Sequence, residues 1–167
     1  MSAFERCVEL VLQLEGEYSD HRDDAGGLTR WGISQRAYPK LDLSTLTRSG
    51  AIALYRKDYW RRILGDDLPP ALALVLFDWA VHSGVSAAVT RLQRIVGAEP
   101  DGRLGKRTLA AALRYEPRKL VLELLRQRGR ELCELSEKPG QGVFRVGWMA
   151  RLATVALECG RELREGA

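Results

Sequence analysis

Residues 69–84 read PPALALVLFDWAVHSG, and this stretch decides the fold class. The two prolines suit the first turn of a helix, where a missing backbone N–H costs nothing. Apolar residues then nearly encircle the predicted helix from Ala71 to His82, and Gly84 closes it. Because a helix that is apolar on almost every side must be surrounded by other elements, the stretch predicts the buried central helix of a mainly α protein.

Helical spacing of apolar residues recurs on both sides of this central stretch. The further predicted helices cover residues 4–15, 34–38, 47–60, 86–96, 105–113, 117–132 and 143–163, with caps at Ser34 and Thr47. Between the first two helices, residues 17–32 lose the spacing and are rich in turn residues. We therefore expect a mainly α fold with a small irregular or β-hairpin lobe near the N-terminus.

Length and composition limit the classes of protein to consider. A chain of 167 residues fits one domain with at most a small subdomain. The formal charge of +4 favours a polyanionic partner, meaning nucleic acid, anionic lipid or an acidic wall polymer, or it only maintains solubility. Since no Arg/Lys-rich run is interleaved with aromatic residues, we expect no nucleic-acid partner.

The cysteines and histidines indicate neither a metal site nor a disulfide. Cys7, Cys133 and Cys159 are far apart, odd in number and without CxxC spacing, so we expect core thiols. The histidines, His21 and His82, are too few and too isolated for a metal centre. No cofactor is expected.

The N-terminal residues carry no signal for export. Glu5, Glu9 and Glu15 interrupt the apolar pattern, and a small-residue cleavage site is missing. The most apolar stretch, residues 71–80, is too short to span a bilayer and contains Asp78. We therefore expect synthesis in the cytoplasm, without a signal peptide and without membrane insertion.

Glu15 and the polar residues that follow it form the candidate catalytic group. Glycoside hydrolysis needs a carboxylic acid that protonates the leaving oxygen, and a second carboxylate usually supports the oxocarbenium-like centre. Glu15 ends the first predicted helix, where a carboxyl half inside an apolar wall keeps its proton. Asp23 and Asp24 precede two glycines that can fold one of these aspartates over toward Glu15, and Thr29 can hold a water molecule. On the residues alone this evidence is weak, because a helix-ending Glu is usually solvated and an Asp before glycines usually caps a turn.

The stretches LEGEY (14–18) and DAGGLTRWGI (24–33) resemble the signature of the glycoside hydrolase family 108 muramidases. That signature is Glu-Gly-Gly-Tyr followed by Asp-x-Gly-Gly-x-Thr-x-x-Gly-Ile. The resemblance continues at residues 55–60, 76–84, 88–113 and 147–151. In two places the chain departs from the pattern: Glu17 stands where the second Gly is usual, and His82 where family members usually carry Asn.

The resemblance implies a lysozyme-like fold and an endolysin-type muramidase. The implied reaction hydrolyses the β-1,4 bond between N-acetylmuramic acid and N-acetylglucosamine, with Glu15 as the catalytic acid. Related phage lysozymes have Glu, Asp and Thr at nearly the spacing of Glu15, Asp24 and Thr29, and there the last two hold the attacking water during inversion. Residues 1–84 would form the catalytic part and residues 85–167 a peptidoglycan-binding helical part, packed as one compact unit.

Four further residues are predicted to contact the peptidoglycan substrate. Tyr18 and Trp31 lie in the lobe and are the aromatic side chains best placed for a cleft. His82 would touch sugar if the Asn that it replaces does so; the alternative is that it only caps the end of a buried helix. Asp101 begins a turn that presents a helix N-terminus, which suits either a stem-peptide carboxylate or a purely structural turn.

Two other functions fit the same sequence. A lytic transglycosylase needs one acid/base Glu and no second carboxylate, and the pairing of Asp24 with Thr29 disfavours it. A non-catalytic adaptor would keep only the peptidoglycan-binding part, with the site disabled by Glu17. If the substrate is the cell wall, another factor, such as a holin or a secretion system, has to release the protein.

Overall fold

The computed structural model describes residues 1–15, 18–19 and 29–165. The chain forms two compact units, Met1–Asp58 and Tyr59–Ala167. Each unit has its own helices, and the small β-sheet belongs to the first. Among the described residues, none of the helices combines the length and apolarity that a transmembrane span requires.

The first unit combines two helices with the sheet. Helix α1 (Ala3–Glu15) precedes strands β1 (Tyr18–Ser19), β2 (Thr29–Arg30) and β3 (Ile33–Ser34), and helix α2 (Arg48–Tyr55) follows them. The strands pair in the order β1-β2-β3, all antiparallel. The apolar face of α1 is buried, as its helical spacing predicts. The Thr47 hydroxyl caps α2 by accepting a hydrogen bond from the Gly50 amide at 3.1 Å.

The second unit is a helical bundle around α3 (Pro70–Ser83). Every residue from 71 to 80 is buried, and α3 packs against three of the other helices. Those helices are α4 (Val85–Val96), α6 (Pro117–Ser136) and α7 (Arg145–Glu165), while α5 (Lys106–Leu113) packs on α4. The central buried helix predicted from residues 69–84 is therefore confirmed.

A buried ion network links three helices of this bundle. The Asp78 carboxylate on α3 is fully buried and lies 2.8 Å from the Arg128 guanidinium of α6. Its other oxygen accepts a hydrogen bond from Arg151 of α7 at 2.7 Å. The Arg128 guanidinium also lies 5.6 Å from the centre of the Trp79 ring. The one charge inside the apolar stretch of α3 is thus the residue that ties α6 and α7 to it.

The structure confirms the mainly α fold with a small β lobe near the N-terminus, and it corrects two local predictions. Residues 34–38 form a single turn and not a helix, because Ser34 is held in β3 and Pro39 blocks continuation. The Ser34 carbonyl instead accepts hydrogen bonds from Ala37 and Tyr38. Cys133 is exposed on α6 and is not a core thiol, whereas the other two cysteines are buried.

Candidate functional site

Glu15 is the last residue of α1, and its half-buried side chain packs against the sheet. A Cβ atom placed on Gly32 would lie 2.8 Å from the Glu15 Cγ and would also collide with the Tyr55 hydroxyl. Gly32 therefore has to lack a side chain, and its φ of +74° is a second reason for glycine at this position. The aliphatic stem of Glu15 is consequently fixed against the backbone of one particular turn.

That turn joins β2 to β3 through Trp31 and Gly32. Both residues have positive φ, +54° and +74°, which is typical of the two-residue turns whose twist matches a β-hairpin. A positive φ is uncommon for tryptophan and has to be stabilised by its surroundings. The buried Tyr55 hydroxyl of α2 supplies this by donating a hydrogen bond to the Trp31 carbonyl at 3.1 Å. Helix α2 therefore stabilises the turn against which Glu15 packs.

Of the other two predicted catalytic residues, the structure describes Thr29 but not Asp24. Thr29 is half-buried in β2, where it pairs with Ser19 of β1 and Ser34 of β3. It comes three residues before Gly32, so the hairpin that contacts Glu15 also carries Thr29. Asp24 lies outside the described residues, as does Glu17.

Of the two predicted aromatic contacts, one lies in a strand of the sheet and the other in its hairpin turn. Tyr18 is in β1, opposite Arg30 of β2. Trp31 is half-buried in the hairpin turn, next to the glycine that touches Glu15. Arg30 itself is occupied in the fold, because its guanidinium donates to the backbone carbonyls of Leu43 and Ser44.

His82 belongs to the second unit, in the last turn of α3. Its ring meets the Trp148 ring of α7 edge-on, at 5.8 Å between centroids and 86° between planes. Burial, followed by the positive charges of Arg128 and Arg151, lowers the pKa of His82 to about 4, although Asp78 opposes this. The imidazole is therefore uncharged at neutral pH.

Asp101 is exposed at the start of a turn that is closed by a buried glutamine. One carboxylate oxygen accepts hydrogen bonds from the Gln93 side chain at 2.7 Å and from the Arg103 amide at 2.8 Å. These bonds, the Gln93 bond foremost, lower the pKa of Asp101. Gln93 also accepts a hydrogen bond from the Gly102 amide at 2.9 Å and donates to Thr108 at 3.2 Å. Asp101 thus has a structural role in this turn, whether or not a ligand binds there.

The structure reveals participants that the sequence reasoning did not assign to the site. Tyr55 and Gly32 fix the turn beside Glu15, and of the two turn residues only Gly32 is of a type that signals such a turn in the sequence. No local signal links Tyr55 to Trp31, which is 24 residues away in the chain. No group of three or more His, Cys, Asp or Glu side chains suited to a metal ion occurs within the described ranges.

Comparison with known families and structures identifies the family of the chain. Residues 8–84 match the family Glycosyl hydrolase 108, and residues 87–153 match a family described as a predicted peptidoglycan domain. One of the solved structures that match is "Structure of Brucella abortus SagA", at 34% sequence identity and a TM-score of 0.82. The match covers 96% of this chain and 94% of that one. The chain belongs to glycoside hydrolase family 108.

This family 108 protein is a glycosidase that acts on peptidoglycan, with a C-terminal peptidoglycan domain. No curated protein sequence shows significant similarity to it. The division into a catalytic part, 1–84, and a binding part, 85–167, stays a prediction about roles. The two compact units divide elsewhere, after Asp58.

Proposed function

We propose that the protein is an N-acetylmuramidase that hydrolyses the β-1,4 bond between N-acetylmuramic acid and N-acetylglucosamine. Glu15 is the general acid in this proposal. The observation that carries it is the contact between the Glu15 stem and Gly32, in the hairpin that also carries Thr29. A general acid works only when its carboxyl is held at a fixed position relative to the leaving oxygen, and this packing provides such a position.

The reaction requires one proton to be given and one to be taken. Glu15 donates its proton to the glycosidic oxygen, which leaves with the bonding electrons as the hydroxyl of N-acetylglucosamine. A water molecule forms the new bond to C1 of N-acetylmuramic acid from the opposite face, and its proton passes to Asp24. Thr29 hydrogen-bonds that water, and the hydrated sugar is released with inverted configuration.

The remaining predicted contacts belong to the same proposal. Tyr18 and Trp31 are the aromatic residues that would stack on the sugar rings next to the scissile bond. Asp101 and the turn that it stabilises lie beside Arg103, Lys106 and Arg107, whose positive charge suits a stem-peptide carboxylate. Because peptidoglycan lies outside the cytoplasmic membrane, the enzyme acts at the wall after release by a holin or a secretion system.

Mass spectrometry of sacculus digests tests the assignment of Glu15. Wild-type enzyme should release muropeptides with hydrated reducing ends, and Glu15→Gln should lower the rate by about 10²–10⁴-fold, the usual contribution of a general acid. Glu9→Gln is the matched control, because it makes the same change on the same helix and removes only a surface ion pair with Arg48.

Two results would contradict the proposal in different ways. Full activity of Glu15→Gln would remove Glu15 from the reaction. Products with 1,6-anhydro ends would instead identify a lytic transglycosylase, in which the muramic acid hydroxyl and not water attacks C1.

A further inference from the structure

Three rings form a contiguous row on the second unit, and we call them the aromatic cluster: Phe144, Trp148 and His82. Phe144 and Trp148 are stacked, with centroids 5.8 Å apart and planes inclined by 27°. Trp148 in turn meets His82 edge-on. Phe144 ends a 3-10 turn, Trp148 lies in the first turns of α7, and His82 ends α3. The cluster is therefore formed by residues from three secondary-structure elements and not by one loop.

The cluster is bordered by apolar side chains that remain in water. Phe144 is 47% exposed, and Val143 and Val146 are each 80% exposed. Leaving this much apolar surface in one place costs free energy that burial would recover. Contiguous exposed apolar patches generally mark surfaces that bind something.

We propose that the aromatic cluster is a carbohydrate-stacking surface that binds the face of an amino-sugar unit of the glycan strand. The C–H groups on one face of a sugar ring form an apolar plane that packs on aromatic faces, while the hydroxyl and acetamido groups around its edge stay in water. The inference rests on the proposed function for the identity of the polymer. Phe144 and Trp148 both lie within the residues that match the peptidoglycan domain.

The charges around the aromatic cluster suit this polymer. Residues 138–157 contain two exposed basic side chains, Lys138 and Arg145, and no acidic one, whereas Arg151 is paired with the buried Asp78. Peptidoglycan carries carboxylates on its stem peptides, so these two cations favour its approach. His82 is uncharged at neutral pH because of its lowered pKa, and its ring therefore adds no charge to the cluster.

Gly147 gives a separate reason to expect a close approach by a ligand. It lies inside α7, between Val146 and Trp148, where glycine destabilises a helix relative to alanine. Nothing among the described residues lies within 4 Å of a Cβ placed there, so packing of the fold does not demand a glycine. A flat surface beside Trp148 is what a sugar ring would require.

The test measures binding of the full chain to peptide-free glycan strands, prepared from sacculi with an amidase, and to intact sacculi. All proteins carry Glu15→Gln and are kept cold, so that the strands persist. Phe144→Ala and Trp148→Ala should weaken binding about three- to tenfold, from the contribution of an aromatic stacking pair. Trp148→Phe should restore most of it. Leu122→Ala, at a similarly exposed leucine on α6, is the matched control and should bind as its parent does.

Gly147→Ala separates binding from folding. We expect it to weaken glycan binding while leaving the melting temperature unchanged or higher, which a structural role for the cluster would not produce. If Trp148→Ala fails to fold, Phe144→Ala and Gly147→Ala carry the test.

Three outcomes would overturn the proposal. In the first, Phe144→Ala and Gly147→Ala both bind glycan strands as the parent does. In the second, these variants lose binding only to peptide-bearing sacculi. In the third, the parent protein is a dimer and Phe144→Ala is a monomer, which would make the surface a self-association site. Since the readout is binding and not cleavage, a wrong assignment of Glu15 could not imitate any of these results.

Discussion

Gly32 lies so close to Glu15 that a Cβ atom on the glycine would approach the glutamate Cγ to 2.8 Å. The proposed catalytic acid can thus take its position only because the neighbouring residue in the hairpin turn has no side chain. Positioning of this kind is rigid, because the contact involves backbone on one side and a short aliphatic stem on the other. It is also sensitive to small changes, which makes it easy to test.

Gly32→Ala should lower both stability and activity. The added methyl group meets Glu15 and Tyr55 at a positive φ, so we expect a loss of about 1–3 kcal/mol in unfolding free energy. Displacement of the Glu15 carboxyl should reduce the hydrolysis rate further, as measured on purified sacculi at a temperature where the variant is folded. Gly160→Ala on α7 meets only an ordinary contact at 3.8 Å and should retain the wild-type rate. Wild-type activity of folded Gly32→Ala would show that the contact does not position the acid.

Tyr55→Phe should weaken the turn beside Glu15. The variant leaves the Trp31 carbonyl without the hydroxyl that donates to it, which costs about 1 kcal/mol in urea unfolding. Activity should fall as well, because the turn no longer holds Gly32 firmly. Tyr38→Phe removes a hydroxyl that bonds Asp58 at 2.8 Å instead. That control should lose similar stability with its rate intact, and equal rate losses in both variants would contradict a specific role of Tyr55.

Asp78→Asn should destabilise the second unit strongly. The substitution removes a fully buried carboxylate that lies against the Arg128 and Arg151 guanidinium groups. Breaking a buried ion pair costs about 3–5 kcal/mol, because a charge that has been removed from water loses a partner. Arg161→Ala removes an exposed pair with Glu158 and should change stability by less than about 1 kcal/mol. Denaturant unfolding measures the loss of unfolding free energy in both variants. Equal losses would show that the buried ion network stabilises the fold no more than the exposed pair does.

Acid should destabilise the wild type more than a His82→Gln variant. The pKa of His82 falls from 6.5 in the unfolded chain to about 4 in the fold, so between these values the unfolded state binds the extra proton. This contribution to stability is complete above pH 6.5 and is lost as the pH falls toward 4, by up to about 3 kcal/mol. Melting temperatures from pH 7 to pH 4 test it, and carboxylates common to both proteins cancel in the difference. Parallel curves would mean that His82 titrates normally.

The sequence predicts best those elements whose signals are local. The apolar run of residues 71–80 and the Thr47 hydroxyl before α2 both act over one or two helical turns, and both predictions are confirmed. The helix predicted at Ser34 is wrong because pairing with Thr29 in the sheet overrides a capping signal. Sheet pairing depends on two segments of the chain, so the residues of one segment alone do not predict it.

The candidate site follows the same division. Glu15 and Thr29 could be singled out because the motif around them is contiguous. Tyr55, which fixes the turn, lies 24 residues from the carbonyl that it bonds, and the choice of partner depends on how α2 packs on the sheet. Asp78 stands out as a charge in an apolar helix, yet only the bundle shows that its partners come from α6 and α7.

The unequal burial of the three cysteines makes the protein ready for selective chemistry. Burial and the nearby carboxylates raise the pKa of the Cys159 thiol to about 12, and Cys7 is only 3% exposed, so neither should react with a maleimide under native conditions. Cys133 is open on α6. A fluorophore or spin label can therefore be attached at one defined point of the wild-type chain, with no cysteine replaced.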